Sequence, residues 1–267
     1  MSTRRGEDLA LAHRLADAAD AITLSRYQAI DLTVTTKPDN TPVTDADKSA
    51  EDAIRALLHA HRPDDGIVGE EFGTEGNEKA RYWVIDPIDG TKNFLRGVPT
   101  WATLIGLMEK SSDGTERVVV GVVSAPALFR RWYALEGGGA FVMVNKEVPK
   151  KIKVSEVSRI EDASISHSDF IGWGNRLEPF RALMDKAWRT RAHGDFWSHM
   201  LVAEGAVDIA AEPSLALWDM AALDIIVREA GGRFTNIDGV DGSLGGNGLS
   251  TNAALHTYVV DALKVRQ

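Results

Sequence analysis

The chain has 267 residues, 44% apolar and 26% charged, with a formal net charge of −9 and no cysteine. Such a balance suits a globular protein with a core of ordinary size, built as one large unit or two fused subdomains. It excludes disulfides, thiolate metal centres and a cysteine nucleophile. Scattered Lys and Arg on an acidic chain argue against nucleic acid as a partner. The N-terminal stretch has two arginines but no continuous apolar run, so it reads as neither signal peptide nor membrane span, and a cytoplasmic location is expected.

Apolar side chains at Leu9, Ala12, Leu15, Ala19, Ile22 and Tyr27 recur near the helical period and predict an amphipathic helix over 7–30. A Pro/Asn/Asp-rich loop follows, then a second helix with Thr44 as N-cap and Asp45 and Asp47 in its first turn. A short strand over 67–69 breaks into a loop at Glu70-Glu71, and 81–86 is a strand that runs into Asp86 and Asp89. Residues 91–97 form a short helix stopped by Gly97 and Pro99. Strands are expected over 100–110, 117–127, 130–144 and 148–155. The glycines at 137–139 lack a following Gly-Lys-Ser/Thr, so they read as a hairpin and not as a phosphate loop. The lysine-rich last strand suits a solvated sheet edge. After residue 155 strands (162–169, 189–195, 207–212, 232–238) alternate with helices (175–188, 196–206, 219–232, 253–266). A soft boundary near 145–155 divides an N-terminal subdomain, 1–150, from a C-terminal one, 151–267.

Aspartate is depleted inside strands, so Asp86 and Asp89 are expected at a strand end, where α/β proteins bind ligands. Gly90 permits close approach of backbone, and the helix opening at Thr91 offers N–H groups to an anion. Two carboxylates beside such an anion site would repel it unless cations lie between, and hard oxygen ligands select Mg²⁺, Mn²⁺ or Ca²⁺. Taken singly, Asp86 and Asp89 read as turn residues, Glu70-Glu71 as a solvated pair, and Asp47 and Asp219 as helix caps. Together they form a far more specific pattern.

Glu70-Glu71, the run Asp86-Pro87-Ile88-Asp89-Gly90-Thr91 and Trp218-Asp219 resemble the two signatures of the inositol monophosphatase family, Mg²⁺-dependent phosphomonoesterases. The likeness covers nearly the whole chain, including Lys37 and Asp47. It implies a layered αβαβα sandwich, a homodimer and two to three Mg²⁺ per subunit, with Mn²⁺ as a substitute. It further implies that Glu70, Asp86 and the carbonyl of Ile88 hold one metal, that Asp86, Asp89 and Asp219 hold a second, and that Glu70 reaches a third near Asp47. Gly90 and Thr91, beside Asp89, would hold phosphate, and Glu70 and Thr91 would orient the attacking water. That chemistry fits the donor types, because divalent ions neutralise a phosphate dianion and activate water.

The leaving-group pocket should come from 191–213 and the loop into Trp218-Asp219. Asp195 follows Gly194 where the inositol phosphatases carry a small hydroxyl residue, and the surrounding stretches resemble the histidinol-phosphatase branch of the family. A pocket with Asp195 and Glu212 suits a cationic leaving group, since a desolvated ammonium needs a carboxylate partner. Trp197 and His193 are candidate walls for an imidazole, against plain core and loop roles. Ser166, His167 and Ser168 fall near the other pocket loop, and Asn247 or Asn252 is a further candidate for substrate contact. The alternatives are inositol monophosphate or broad specificity within the same family, and an idle member acting as a scaffold.

Overall fold

The computed structural model describes residues 3–38 and 41–265. In chain order the elements are α1 (Thr3–Arg26), β1 (Val34–Thr36), β2 (Pro42–Thr44), α2 (Asp45–His61), β3 (Gly66–Gly69), β4 (Gly73–Glu75), β5 (Arg81–Asp89) and α3 (Thr91–Leu95). Then come β6 (Ala102–Lys110), β7 (Glu116–Ala125), β8 (Arg130–Leu135), β9 (Gly139–Val144), β10 (Lys150–Lys151), β11 (Ser164–Ser166) and α4 (Leu177–Met184). The chain closes with β12 (Arg189–Arg191), α5 (Asp195–Ala203), β13 (Ile209–Glu212), α6 (Leu217–Glu229), β14 (Gly232–Thr235), β15 (Gly248–Asn252) and α7 (His256–Ala262).

An eight-stranded sheet runs β10-β9-β8-β7-β6-β5-β3-β4, antiparallel except where β3 lies parallel to β5. A five-stranded sheet runs β12-β11-β13-β15-β14, with β11 parallel to both its neighbours. Side chains of β5 alternate between two faces, as the pleat demands. Trp83 and Ile85 pack with Leu11, Leu15, Ile54 and Leu58 of α1 and α2. Tyr82 and Val84 pack into the cluster that holds Phe196 and Met200 of α5 and Ile225 and Ile226 of α6. The far face of the small sheet packs Ile165, Ile209 and Leu249 against Phe180 and Leu183 of α4 and Val259 of α7. The layers therefore read helix, sheet, helix, sheet, helix, the expected sandwich. Strands buried on both faces explain why β5 to β7 are nearly continuous apolar runs.

The large sheet takes its strands from 66–151 and the small one from 164–252, while the central cluster mixes residues from both stretches. Helix α6 lies against the large sheet at very short range. A Cβ on Gly121 of β7 would sit 2.5 Å from Ile225 Cγ2 and 2.8 Å from the Ala222 carbonyl oxygen.

Several elements differ from the sequence reading. The loop after α1 contains the hairpin β1–β2, and β4 is an additional strand; their short, mostly exposed segments carry no period to detect. Of the strand expected over 148–155 only Lys150–Lys151 pairs, at the sheet edge. The helix expected over 175–188 ends at Met184. Strand β5 continues through Asp89, with its register shifted between Asp86 and Asp89, so Pro87 and Ile88 form an irregularity that turns both aspartates toward one site.

Candidate active site

Two elements converge on one site. The end of β5 brings Asp86 and Asp89, and the first turn of α6 brings Asp219. Each offers a carboxylate oxygen, and the three oxygens lie within 4.8 Å of one another. Among the described residues this is the single group of such close metal-type donors. Asp86 is buried, whereas Asp89 and Asp219 are half-buried. Each side chain is also fixed by a backbone donor. Ile88 N–H donates to Asp86 Oδ1 at 2.9 Å, Phe196 N–H to Asp89 Oδ2 at 2.8 Å, and Ala216 N–H to Asp219 Oδ2 at 2.7 Å.

Like charge at this spacing is costly. Burial, then Glu70, Asp89 and Asp219, hold the Asp86 carboxyl well above the usual range. Burial, then Asp195 and Asp219, do the same to Asp89. Asp219 is pushed up to about 6, by burial first and by Glu70 against the relief given by Ala216 N–H. Among the described residues none of these three aspartates has an ion-pair partner. A compact set of hard oxygen donors whose mutual repulsion is met by backbone N–H groups but, among the described residues, by no cationic side chain fits a divalent cation.

Glu70 lies across the cleft, in the three-residue loop joining β3 and β4. Lys37 Nζ donates to Glu70 Oε1 at 2.7 Å and to Glu71 Oε1 at 2.6 Å. Burial opposes the Lys37 charge, yet the two glutamates hold its ammonium above its ordinary value. Glu71 is pushed up to about 7 by burial, with Glu70 adding to it and Lys37 opposing. Asp47 is the N3 residue of the α2 capping box with Thr44, so the cap expected at Thr44 is present. Burial first, and Glu70 after it, push Asp47 up to about 6; its Oδ1 is buried without a partner.

Gly90 stands at φ 83 as the N-cap of α3, and a Cβ there would meet the Thr100 carbonyl oxygen at 2.9 Å. Only glycine suits that left-handed, crowded position. Thr91 Oγ1 donates to the Ile88 carbonyl at 3.0 Å, so the hydroxyl and the carbonyl face the same space.

The cleft, about 380 Å³, is lined by Glu70, Gly90, Thr91, Ser168, His193 and Asp195, among others. Its far wall lies beyond the C-terminal ends of three parallel strands, where open α/β sheets bind ligands. Ser168 follows β11, Asp195 follows β12, and Glu212 ends β13. Asp195 N–H donates to Ser168 Oγ at 3.1 Å, and Ser168 Oγ donates to Glu212 Oε1 at 2.7 Å. Asn93 Nδ2 donates to Asp195 Oδ2 at 3.0 Å. Burial pushes Glu212 up to about 8, with Asp195 and Asp169 adding to it. Burial also raises Asp195, with Lys92 opposing.

His193 lines this wall, with Trp197 5.4 Å away, ring centroid to centroid. Trp197 itself packs against the central core rather than lining the cleft, because its place on α5 points into the cluster under the large sheet. Ser166 is buried against Ser198, and His167 is wedged beside Phe170 and Phe180. Asn252 is fully buried and engaged with Ser155, Val157 and Leu255, and Asn247 accepts from Ile237 N–H; both serve local structure. Sequence reasoning did not single out Asn93 or Asp169. Asn93 lies just past the signature run, so it could have been suspected; Asp169 is a loop residue placed only by the topology.

A sequence profile of the inositol monophosphatase family matches residues 6–264. The chain belongs to the inositol monophosphatase family. That membership makes it a phosphomonoesterase. It is 55% identical over 262 residues to a histidinol-phosphatase of Streptomyces coelicolor, covering 97% of this chain and 98% of that protein. It is 54% identical over 259 residues to a histidinol-phosphatase of Mycobacterium tuberculosis, covering 96% and 98%. The crystal structure of the extragenic suppressor protein SuhB from Bartonella henselae superposes with a TM-score of 0.85 at 30% identity, over 97% of this chain and 98% of that one. The described residues include no helix long and apolar enough to cross a membrane.

Proposed function

We propose that this phosphatase hydrolyses L-histidinol phosphate to L-histidinol and phosphate, in histidine synthesis, with Mg²⁺ as its cofactor. The observation that carries the reading is the acidic wall formed by Asp169 and Asp195, with buried Glu212 joined to it through Ser168. A leaving group bearing an ammonium and an imidazole would neutralise those acids. A neutral polyol such as inositol would bring no positive charge to half-buried Asp195 and buried Glu212, whose neutral donors Asn93 and Ser168 balance them only in part. Identities of 54–55% to two histidinol-phosphatases support the same choice.

In this reading Asp86, Asp89 and Asp219 would hold one Mg²⁺, Glu70, Asp86 and the Ile88 carbonyl another, and Glu70 would reach a third with Asp47 nearby; Mn²⁺ could substitute. The bound ions would supply charge neutralisation for the phosphate and for the developing alkoxide. The N–H groups of Gly90 and Thr91 orient the phosphate. Glu70 and the Thr91 hydroxyl align the water that attacks phosphorus, and Glu70 accepts its proton. Asp195 and Glu212 receive the cationic leaving group, and His193 flanks the imidazole. A cytoplasmic homodimer belongs to the same proposal.

The test is phosphate release from L-histidinol phosphate, with Mg²⁺ and with a chelator, by wild type and by Asp89→Asn. Release that needs Mg²⁺ and is nearly lost in the folded variant is expected. Turnover in chelator, or wild-type turnover by Asp89→Asn, would contradict the assignment.

A further inference from the structure

The loop that carries Glu70 and Glu71 is Glu-Glu-Phe, a sequence with none of the residues that favour turns. Gly69 pairs with Gly73 across it, and Glu70 N–H donates to the Ile85 carbonyl at 3.2 Å. The next two N–H groups point the other way and need an acceptor. A fully buried carboxylate from α2 supplies it. Glu51 Oε2 accepts from Glu71 N–H at 2.8 Å, and Glu51 Oε1 accepts from Phe72 N–H at 3.2 Å. Arg55 Nε donates to Glu51 Oε1 at 2.8 Å, and Arg55 Nη2 donates to the Gly73 carbonyl. Glu51 lies one helical turn after Asp47, so one face of α2 presents Asp47 to the acids and Glu51 to the loop. An ordinary i,i+4 pair between Glu51 and Arg55 would need no loop amides. A bare third carboxylate under Glu70 and Glu71 would add repulsion unless its hydrogen bonds held the loop in shape.

We infer that Glu51 is a positioning residue: its carboxylate fixes the Glu70-Glu71 loop so that Glu70 faces the aspartate cluster, and this sets the affinity of the site for divalent cations. The inference rests on the metal reading of that cluster. Glu51→Gln turns one acceptor atom into a donor facing loop N–H groups or Arg55, leaving a donor without a partner. Gly69→Ala reaches the same carboxylate from the other side, since its Cβ would fall 2.0 Å from Glu51 Oε1. Ile54→Ala is the control; it removes core packing from the same helix without touching the loop.

The experiment is calorimetric Mn²⁺ titration of the four proteins, with thermal melting alongside. Loss of such a supporting partner typically weakens metal binding about 10- to 100-fold, and that is expected of Glu51→Gln and Gly69→Ala while Ile54→Ala binds like wild type. Wild-type Mn²⁺ affinity in either folded loop variant overturns the inference, as does an equal loss in Ile54→Ala. A wild type that binds no Mn²⁺ would instead strike down the metal reading itself and the inference with it.

Discussion

Asp195 joins the two halves of the site. Its carboxylate is held by Asn93, two residues past Thr91, and the N–H of the next residue, Phe196, holds Asp89. One turn of chain thus ties a leaving-group carboxylate to a proposed metal ligand. Asp195 stands at φ 50, a conformation that Asn tolerates, so Asp195→Asn removes charge without straining the backbone. A hydrogen bond to a charged group contributes about 1.5–3 kcal/mol, so kcat/KM for L-histidinol phosphate should fall about tenfold to a hundredfold. Turnover of an aryl phosphate should change little. Equal losses on both substrates would show that Asp195 serves the phosphate site and not the leaving group. At this scale the sequence was a good guide wherever a residue's role is local: Thr44, Asp86, Asp89 and Gly90 sit where their neighbours dictate. It left Trp197 between wall and core, because its direction depends on which face of α5 the large sheet covers, and it passed over Glu51, a buried acid whose loop partners are about 20 residues away.

At the scale of elements, β5 and α6 act as rigid mounts. A strand packed on both faces and a helix pressed onto glycine cannot shift without opening the central core. Gly121→Ala tests this. Its new Cβ would collide with Ile225 and the Ala222 carbonyl, which forces α6 away from β7. Overpacking of this kind costs about 1–3 kcal/mol, and because α6 carries Asp219 a loss of Mg²⁺ affinity should accompany the drop in Tm. A lowered Tm with unchanged Mg²⁺ affinity would mean that the start of α6 is anchored independently of its packing. Long strands were legible because 9- and 10-residue, nearly unbroken apolar runs such as β6 and β7 stand out from the polar turns around them, and helices because their apolar side chains recur at the helical period. The three-residue strands β1 and β4 were not, since three exposed residues show no pattern, while the edge strand expected over 148–155 was legible in place but drawn too long around Lys150–Lys151.

At the scale of the whole molecule, opposing sets of buried groups set the response to pH. His13, His199 and His256 are lowered to about 4, by burial in each case, with cationic neighbours adding to it for His13 and His256. Their contribution to stability is complete above the unfolded value near 6.5 and is lost as pH falls toward 4. Asp47 and Asp219, at about 6, and Glu71, at about 7, are raised above their unfolded values. Their contribution is complete below about pH 4 and is lost as pH rises through 6 to 7. A cation at the cluster relieves the second set and leaves the histidines untouched. The rise in Tm on adding Mg²⁺ should therefore be larger near about pH 8 than near about pH 5.5, where the cation must displace protons. Equal rises at both would contradict the electrostatic account. The topology that assembles the acidic wall was the least legible feature. Ser168, Asp195 and Glu212 meet because β11 lies between β12 and β13, an order that no local pattern encodes.

The most direct test of the proposed substrate compares kcat/KM for L-histidinol phosphate with that for inositol 1-phosphate, under Mg²⁺ and side by side. The acidic wall predicts a preference of about a hundredfold or more for histidinol phosphate, equivalent to about 2.7 kcal/mol of differential transition-state binding. Equal values, or a preference for the inositol ester, would leave the aspartate cluster as a phosphatase centre and contradict the reading of Asp195 and Glu212 as partners of a cationic leaving group.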